Sequence, residues 1–103
     1  MSSAFQVTRM EEPRSYKLSG ELDLSTADQL IDVLAEDRTS AGDVALDLSE
    51  LAFIDSSGLR VLLDTVRSLG EMGTLVLRRP SGEVARVFEV SGIDQLKGIR
   101  VER

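Results

Sequence analysis

The sequence predicts a single α/β domain in which helices pack on a mixed, mostly parallel sheet, with elements in the order ββαβαβαβ. Three observations carry this. The hydrophobic period switches between two and about 3.6 several times along the chain. Glycine, proline and small polar residues fall at the switches. The 103 residues show no repeat, low-complexity run or linker and suffice for one core, so residues 1–103 are expected to form one domain.

Phe5 and Val7 alternate with polar residues, and Tyr16, Leu18 and Leu22 do so again after Glu11-Glu12-Pro13-Arg14, which reads as two strands, the pair arranged as a hairpin. From Thr26 the period changes. Ala27, Leu30, Ile31, Leu34 and Ala35 recur at helical spacing, with Ser25 or Thr26 as N-cap, Asp28 or Gln29 completing a capping box, and Ala41-Gly42-Asp43 as the stop. The run VALDLS (44–49) alternates and reads as a strand with Val44, Leu46 and Leu48 on one face, followed by a loop over 50–55. Leu59, Leu62, Leu63, Val66 and Leu69 form the next helical stripe, closed by Gly70 and Gly73. TLVLR (74–78) is a further strand. Pro80-Ser81-Gly82 opens a third helix with Val84, Val87 and Phe88 inward, and Ile99 and Val101 mark a short last strand. Strands separated by helices join most simply as right-handed crossovers between parallel neighbours, and the N-terminal pair supplies the antiparallel part.

Composition removes whole classes of chemistry. With no histidine and no cysteine, Ser-His-Asp and Cys-His arrangements are impossible, and a zinc site would need carboxylates alone. No phosphate-cradling glycine loop of either common pattern occurs. Asp47 and Asp55 are the carboxylates that could meet at the carboxyl end of a sheet, as an acidic magnesium site or a phospho-accepting aspartate; Asp47 reads equally as an outward residue of an alternating strand. The net charge of −6 argues against nucleic acid and anionic membrane as partners. It is unevenly placed: residues 11–55 hold twelve acids against three bases, and residues 56–103 eight bases against six acids. The acidic front half is either a solvated surface or a field that steers a basic partner. No apolar run approaches the roughly 20 residues that span a bilayer and no signal peptide is visible, so a cytoplasmic protein is expected. Ordinary core periodicity without a ligand cluster leads to the expectation of a monomer that folds without metal or cofactor.

FIDSSGL (53–59) places an acid, two serines and a glycine where an apolar stretch meets a new helix. Asp55 or Ser56 can cap that helix by accepting from its first free N–H groups, with Gly58 allowing close packing. A serine there is equally accessible to a modifying enzyme. A phosphate on it adds about −1.5 to −2 charges beside Asp55, which changes the surface and leaves the fold.

GELDLSTADQL (20–30), ALDLSELAFIDSSGLRVLL (45–63) and PSGEVARVFEVSGIDQL (80–96) resemble, in order and spacing, the three signature blocks of the STAS domain, and within it the stand-alone bacterial anti-sigma factor antagonists. The resemblance spans about Phe5 to Val101. It implies a non-enzymatic partner-switching protein. The unphosphorylated form binds an anti-sigma factor that is also a serine kinase of the histidine-kinase-like ATPase fold, and a metal-dependent serine phosphatase reverses the modification. The serine implied as the modified residue is Ser56, with Ser57 as second choice. Asp23, Asp55, Ser56, Ser57, Gly58, Leu59 and Arg60 make up the implied partner surface. Nucleotide and magnesium then belong to the kinase. Arg60 departs from the family, where this position is often small; it is placed to alter partner choice or to pair with a phosphate on Ser56. A chain ending at Arg103 leaves little room for the terminal helix of many relatives. The competing reading from the same family is a STAS subunit that supports an ABC-type ATPase with no phosphorylation cycle.

Overall fold

The structure, a computed structural model, describes residues 4–103. Five strands form one sheet in sequential order: β1 (Gln6–Arg9), β2 (Ser15–Leu22), β3 (Val44–Ile54), β4 (Leu75–Arg78) and β5 (Ile99–Glu102). β1 and β2 are the expected antiparallel hairpin, and β2 through β5 are parallel. Three helices make the crossovers: α1 (Ala27–Leu34), α2 (Ser56–Leu69) and α3 (Gly82–Ser91). Each crossover steps one strand in the same direction. Right-handed connections of that kind put every helix on one face, so the sheet has a helix side and a bare side.

The core lies on the helix side. Leu18 and Leu22 of β2, Leu46 and Leu48 of β3, Leu62 of α2 and Phe88 of α3 are all at most 1% exposed and belong to one continuous apolar cluster. Burying each such side chain stabilises the fold by about 1.5–3 kcal/mol before entropy is counted. The bare side is polar for the complementary reason. Register aligns Thr8, Lys17, Asp47, Arg78 and Glu102 across all five strands, so four successive neighbours alternate in sign. Arg78 Nε donates to Glu102 Oε1 at 3.1 Å, and the Arg79 guanidinium folds over Asp47.

Four expectations need correction. The strand read over 44–49 continues to Ile54, so of the expected loop over 50–55 only Asp55 lies outside the strand. Two register irregularities in the β2–β3 ladder, between Lys17 and Ser19 and between Gly20 and Glu21, break the alternation and hide this strand from a period-two reading. α1 ends at Leu34. A 3₁₀ turn at Asp37–Thr39 follows, tied down by the Tyr16 hydroxyl on the Asp37 carboxylate and by Arg14, which donates to the carbonyls of Asp37 (2.9 Å) and Gly42 (3.0 Å). The capping box is absent: Thr26 is the N-cap residue, but its hydroxyl donates to Glu21 O at 2.8 Å and makes no helix cap. On α2 the buried stripe is Gly58, Val61, Leu62, Thr65 and Leu69, rotated from the expected one, and Leu59, Leu63 and Val66 are only partly buried. Thr65 tolerates full burial because its hydroxyl donates back to Val61 O at 2.8 Å.

Candidate functional site

Parallel pairing of β2 with β3 brings Leu22 opposite Ile54, so the two strands end side by side. The segments that follow, Asp23–Thr26 and Asp55, therefore lie together at the carboxyl end of the sheet, where α1 and α2 begin. The Asp55 N–H donates to Leu22 O at 3.2 Å and ties one segment to the other.

Asp55 is the cap of α2. Its Oδ1 accepts from Ser57 N at 2.9 Å and from Gly58 N at 3.3 Å, and its charge sits at the positive end of the helix dipole. With the acid serving as cap, the hydroxyl of Ser56 is not needed for that role. Ser56 is exposed, Ser57 is half-buried, and Gly58 is fully covered. A Cβ on Gly58 would stand 2.8 Å from Leu22 Cγ and 3.0 Å from Leu22 O, so only glycine lets α2 start this close to the end of β2. Gly58 thus shapes the site from beneath and offers no surface of its own.

Asp23 organises the other segment. Its Oδ1 accepts from Ser25 N (2.9 Å), Ser25 Oγ (2.7 Å) and Thr26 Oγ1 (3.3 Å), an Asx-type turn that replaces the capping box. The hydrogen bond from the Ser25 hydroxyl is the leading reason that the Asp23 carboxyl lies below its ordinary value and stays ionised. Asp23, Leu24, Ser25 and Asp55 line one open depression of about 420 Å³. Ser56, Leu59 and Arg60 line the adjoining groove of about 410 Å³, together with Leu63, Asp64 and Arg67. Five of the seven residues implied by sequence thus line these two adjoining depressions, with Ser57 half-buried and Gly58 buried beside them.

Leu24 and Ser25 also line the site; the sequence offered Ser25 only as a helix cap and did not single out Leu24. Leu24 is 80% exposed at the tip of the turn, and Phe53, on the strand just before Asp55, is 44% exposed. Leu24 carried a readable signal: an apolar residue inside a polar D-x-S-T turn has no core to enter, which points to a contact made with something else.

The arrangement does not assemble a catalytic carboxylate pair. Asp47 lies within β3 and Asp55 just past its end, eight residues on and about 25 Å away at an extended rise. Asp47 is 3% exposed on the bare side, held by Ser49 N at 2.9 Å and by Arg79. Among the described residues no three acids stand close enough to hold a metal ion, and no helix is long and apolar enough to cross a membrane.

Comparison with known proteins agrees with this geometry. Residues 5–100 match the family described as Mlab, STAS domain. The anti-sigma-B factor antagonist of Staphylococcus aureus (strain NCTC 8325 / PS 47) is 28% identical over 98 residues, covering 93% of this chain and 91% of the relative. The solved structure of the anti-sigma factor antagonist SpoIIAA in its unphosphorylated form superposes with a TM-score of 0.72 at 26% identity, over 97% of this chain and 89% of that one. The Bacillus cell fate determinant SpoIIAA in its phosphorylated form has the same fold, with a TM-score of 0.64 at 24% identity over 97% and 92% of the two chains. Sheet order, an exposed serine at the Asp55-capped start of α2 and a family match that runs almost end to end lead to one conclusion: the chain belongs to the STAS domain family, among its anti-sigma factor antagonists.

Proposed function

We propose that this protein is a phosphorylation-controlled antagonist. Unphosphorylated, it binds an anti-sigma factor and so frees a sigma factor; phosphorylation of Ser56 ends that binding. The anti-sigma factor is a serine kinase of the histidine-kinase-like ATPase fold, and a metal-dependent serine phosphatase restores the binding form. The protein acts in the cytoplasm as a monomer, without a cofactor of its own.

The observation that carries this reading is that Ser56 is exposed while Asp55 does the capping. The hydroxyl is therefore free for modification at no cost to the helix start. In the transfer, a bond forms between Ser56 Oγ and the γ-phosphorus of kinase-bound ATP, the bond to the bridging oxygen breaks, ADP leaves, and a base of the kinase takes the hydroxyl proton. The product is a near-dianion on a contact surface, beside Asp55 and close to the Asp23 turn. Desolvating that charge against a partner costs several kcal/mol, enough for exchange of partners. A relative solved in both unphosphorylated and phosphorylated forms supports a fold that tolerates the modification.

The test is phosphorylation by the cognate kinase, followed by intact-mass measurement and peptide mapping over 45–67. Ser56→Ala is expected to abolish incorporation and Ser57→Ala to retain it. Incorporation that survives Ser56→Ala would move the site to Ser57.

One finding favours a second reading. The matched family description names Mlab, and in lipid-transport ABC systems a STAS subunit of this kind supports an ATPase. Co-purification with an ABC ATPase, together with an unmodified Ser56 peptide under every growth condition, would decide for it.

A further inference from the structure

Resting on the reading of Ser56 as the modified residue, we propose that Arg60 is the intramolecular receptor of that phosphate, an i,i+4 phosphoserine–arginine clamp on the exposed face of α2. Ser56 and Arg60 are one helical turn apart and line the same groove, and both are exposed. Helical side chains lean toward the helix N-terminus, so the Arg60 guanidinium reaches back over the turn that carries Ser56.

The cation is available. Among the described residues Arg60 takes part in no ion pair, and Asp64, the acid one turn further along, is engaged by Arg67 at 3.6 Å. The acids on the other side of Ser56 are already satisfied: Asp55 by Ser57 N and Gly58 N, and Asp23 by Ser25 and Thr26. A phosphate on Ser56 is repelled by those two carboxylates and attracted by one planar donor fork whose geometry matches two phosphate oxygens. The start of α2 also favours a phosphate through its dipole, and Arg60, one turn along the same face, is the full positive charge within side-chain reach.

Two consequences follow for the switch. The modification adds negative charge at the rim and at the same moment engages the Arg60 cation in the groove that Leu59 and Leu63 also line, so the partner loses two features of the surface together. The paired phosphate also gives up its second proton more readily, which keeps it doubly charged near neutral pH.

The experiment uses the full chain with phosphoserine genetically encoded at position 56, titrated by phosphorus NMR. The second phosphate pKa is expected to rise by about 0.3 unit or more in Arg60→Gln, the shift that corresponds to an i,i+4 pair, and to stay at the parent value in Arg67→Gln. Identical titrations in parent and Arg60→Gln overturn the clamp. An equal rise in Arg67→Gln also overturns it, since the effect would then belong to the general positive field of α2. Because the phosphate is installed by encoding, the result is independent of any kinase. Failure of the underlying reading shows separately, as incorporation that survives Ser56→Ala.

Discussion

Two aspartates on β3 and its end illustrate how one residue type acquires different work. Asp55 spends its carboxylate on the first N–H groups of α2 and so leaves Ser56 free. Asp47 is buried on the bare side of the sheet. Burial by itself would push its carboxyl up, but hydrogen bonds from Ser49 and the Arg79 guanidinium outweigh that and hold it below its usual 3.8. A depressed carboxyl contributes stability that is fully present above the unfolded value and is lost as pH falls through the folded one. Asp47→Asn is therefore expected to lower stability by about 1–2 kcal/mol at pH 7, with the difference from the parent shrinking below about pH 4. Urea midpoints between pH 7 and pH 3 measure this; a difference independent of pH would show that the carboxylate charge plays no part. The Asp47 role was open in the sequence between site and strand residue. What closed the question was Arg79, which reaches it from the far end of β4 through a backbone with φ of 51°.

At the scale of elements, the start of α2 is governed by how closely it approaches β2. Gly58 sits against Leu22 and Ile54 with no room for a methyl group, and neither neighbour can yield readily because both are in the core. Gly58→Ala is expected to lose about 1–3 kcal/mol of stability through overpacking, and to displace the segment that presents Ser56. Thermal or urea unfolding measures the first effect; a variant as stable as the parent would mean that the helix start is less constrained than its contacts indicate. The sequence had pointed to Gly58 as a close-packing residue. It could not show the direction of approach, because Leu22 lies 36 positions earlier. The same limit explains the misread end of β3. A strand with irregular pairing loses its period-two signature, and its last five residues, Glu50–Ile54, are held as strand by the ladder to β2. The outward shift of Leu59 and Leu63 has a comparable origin. Both fit the helical stripe, but α2 is turned so that Val61 and Thr65 face the sheet, and the two leucines flank the groove beside Arg60.

At the scale of the whole molecule, charge separation along the chain becomes separation in space. Asp23 and Asp55 gather at one end of the sheet, while Arg60 and Arg67 run along the outer face of α2. An acidic rim of this kind steers a basic partner surface by long-range attraction, which salt weakens. Association of the unphosphorylated protein with its cognate anti-sigma factor is expected to slow by about tenfold or more between low and high ionic strength, with dissociation less affected. Stopped-flow or biosensor kinetics over a salt series measure this, and salt-independent association would assign the acids to solvation alone. By itself the sequence determined the α/β class, the number and order of the elements, the antiparallel first pair, the Asp55-Ser56 junction and the chemistry excluded by the absence of histidine and cysteine. These are local: each depends on the period, the punctuation or the identity of neighbouring residues. Only the tertiary structure decided that Asp55 rather than Ser56 is the cap, that Asp23 and Leu24 share a rim with it, that Asp47 belongs to a latch on the bare side, and that Arg60 lines the groove of Ser56 without an ion pair among the described residues. Each of these is set by contacts between segments brought together by parallel strand pairing, and by the orientation of α2 on the sheet, neither of which leaves a periodic trace in the chain.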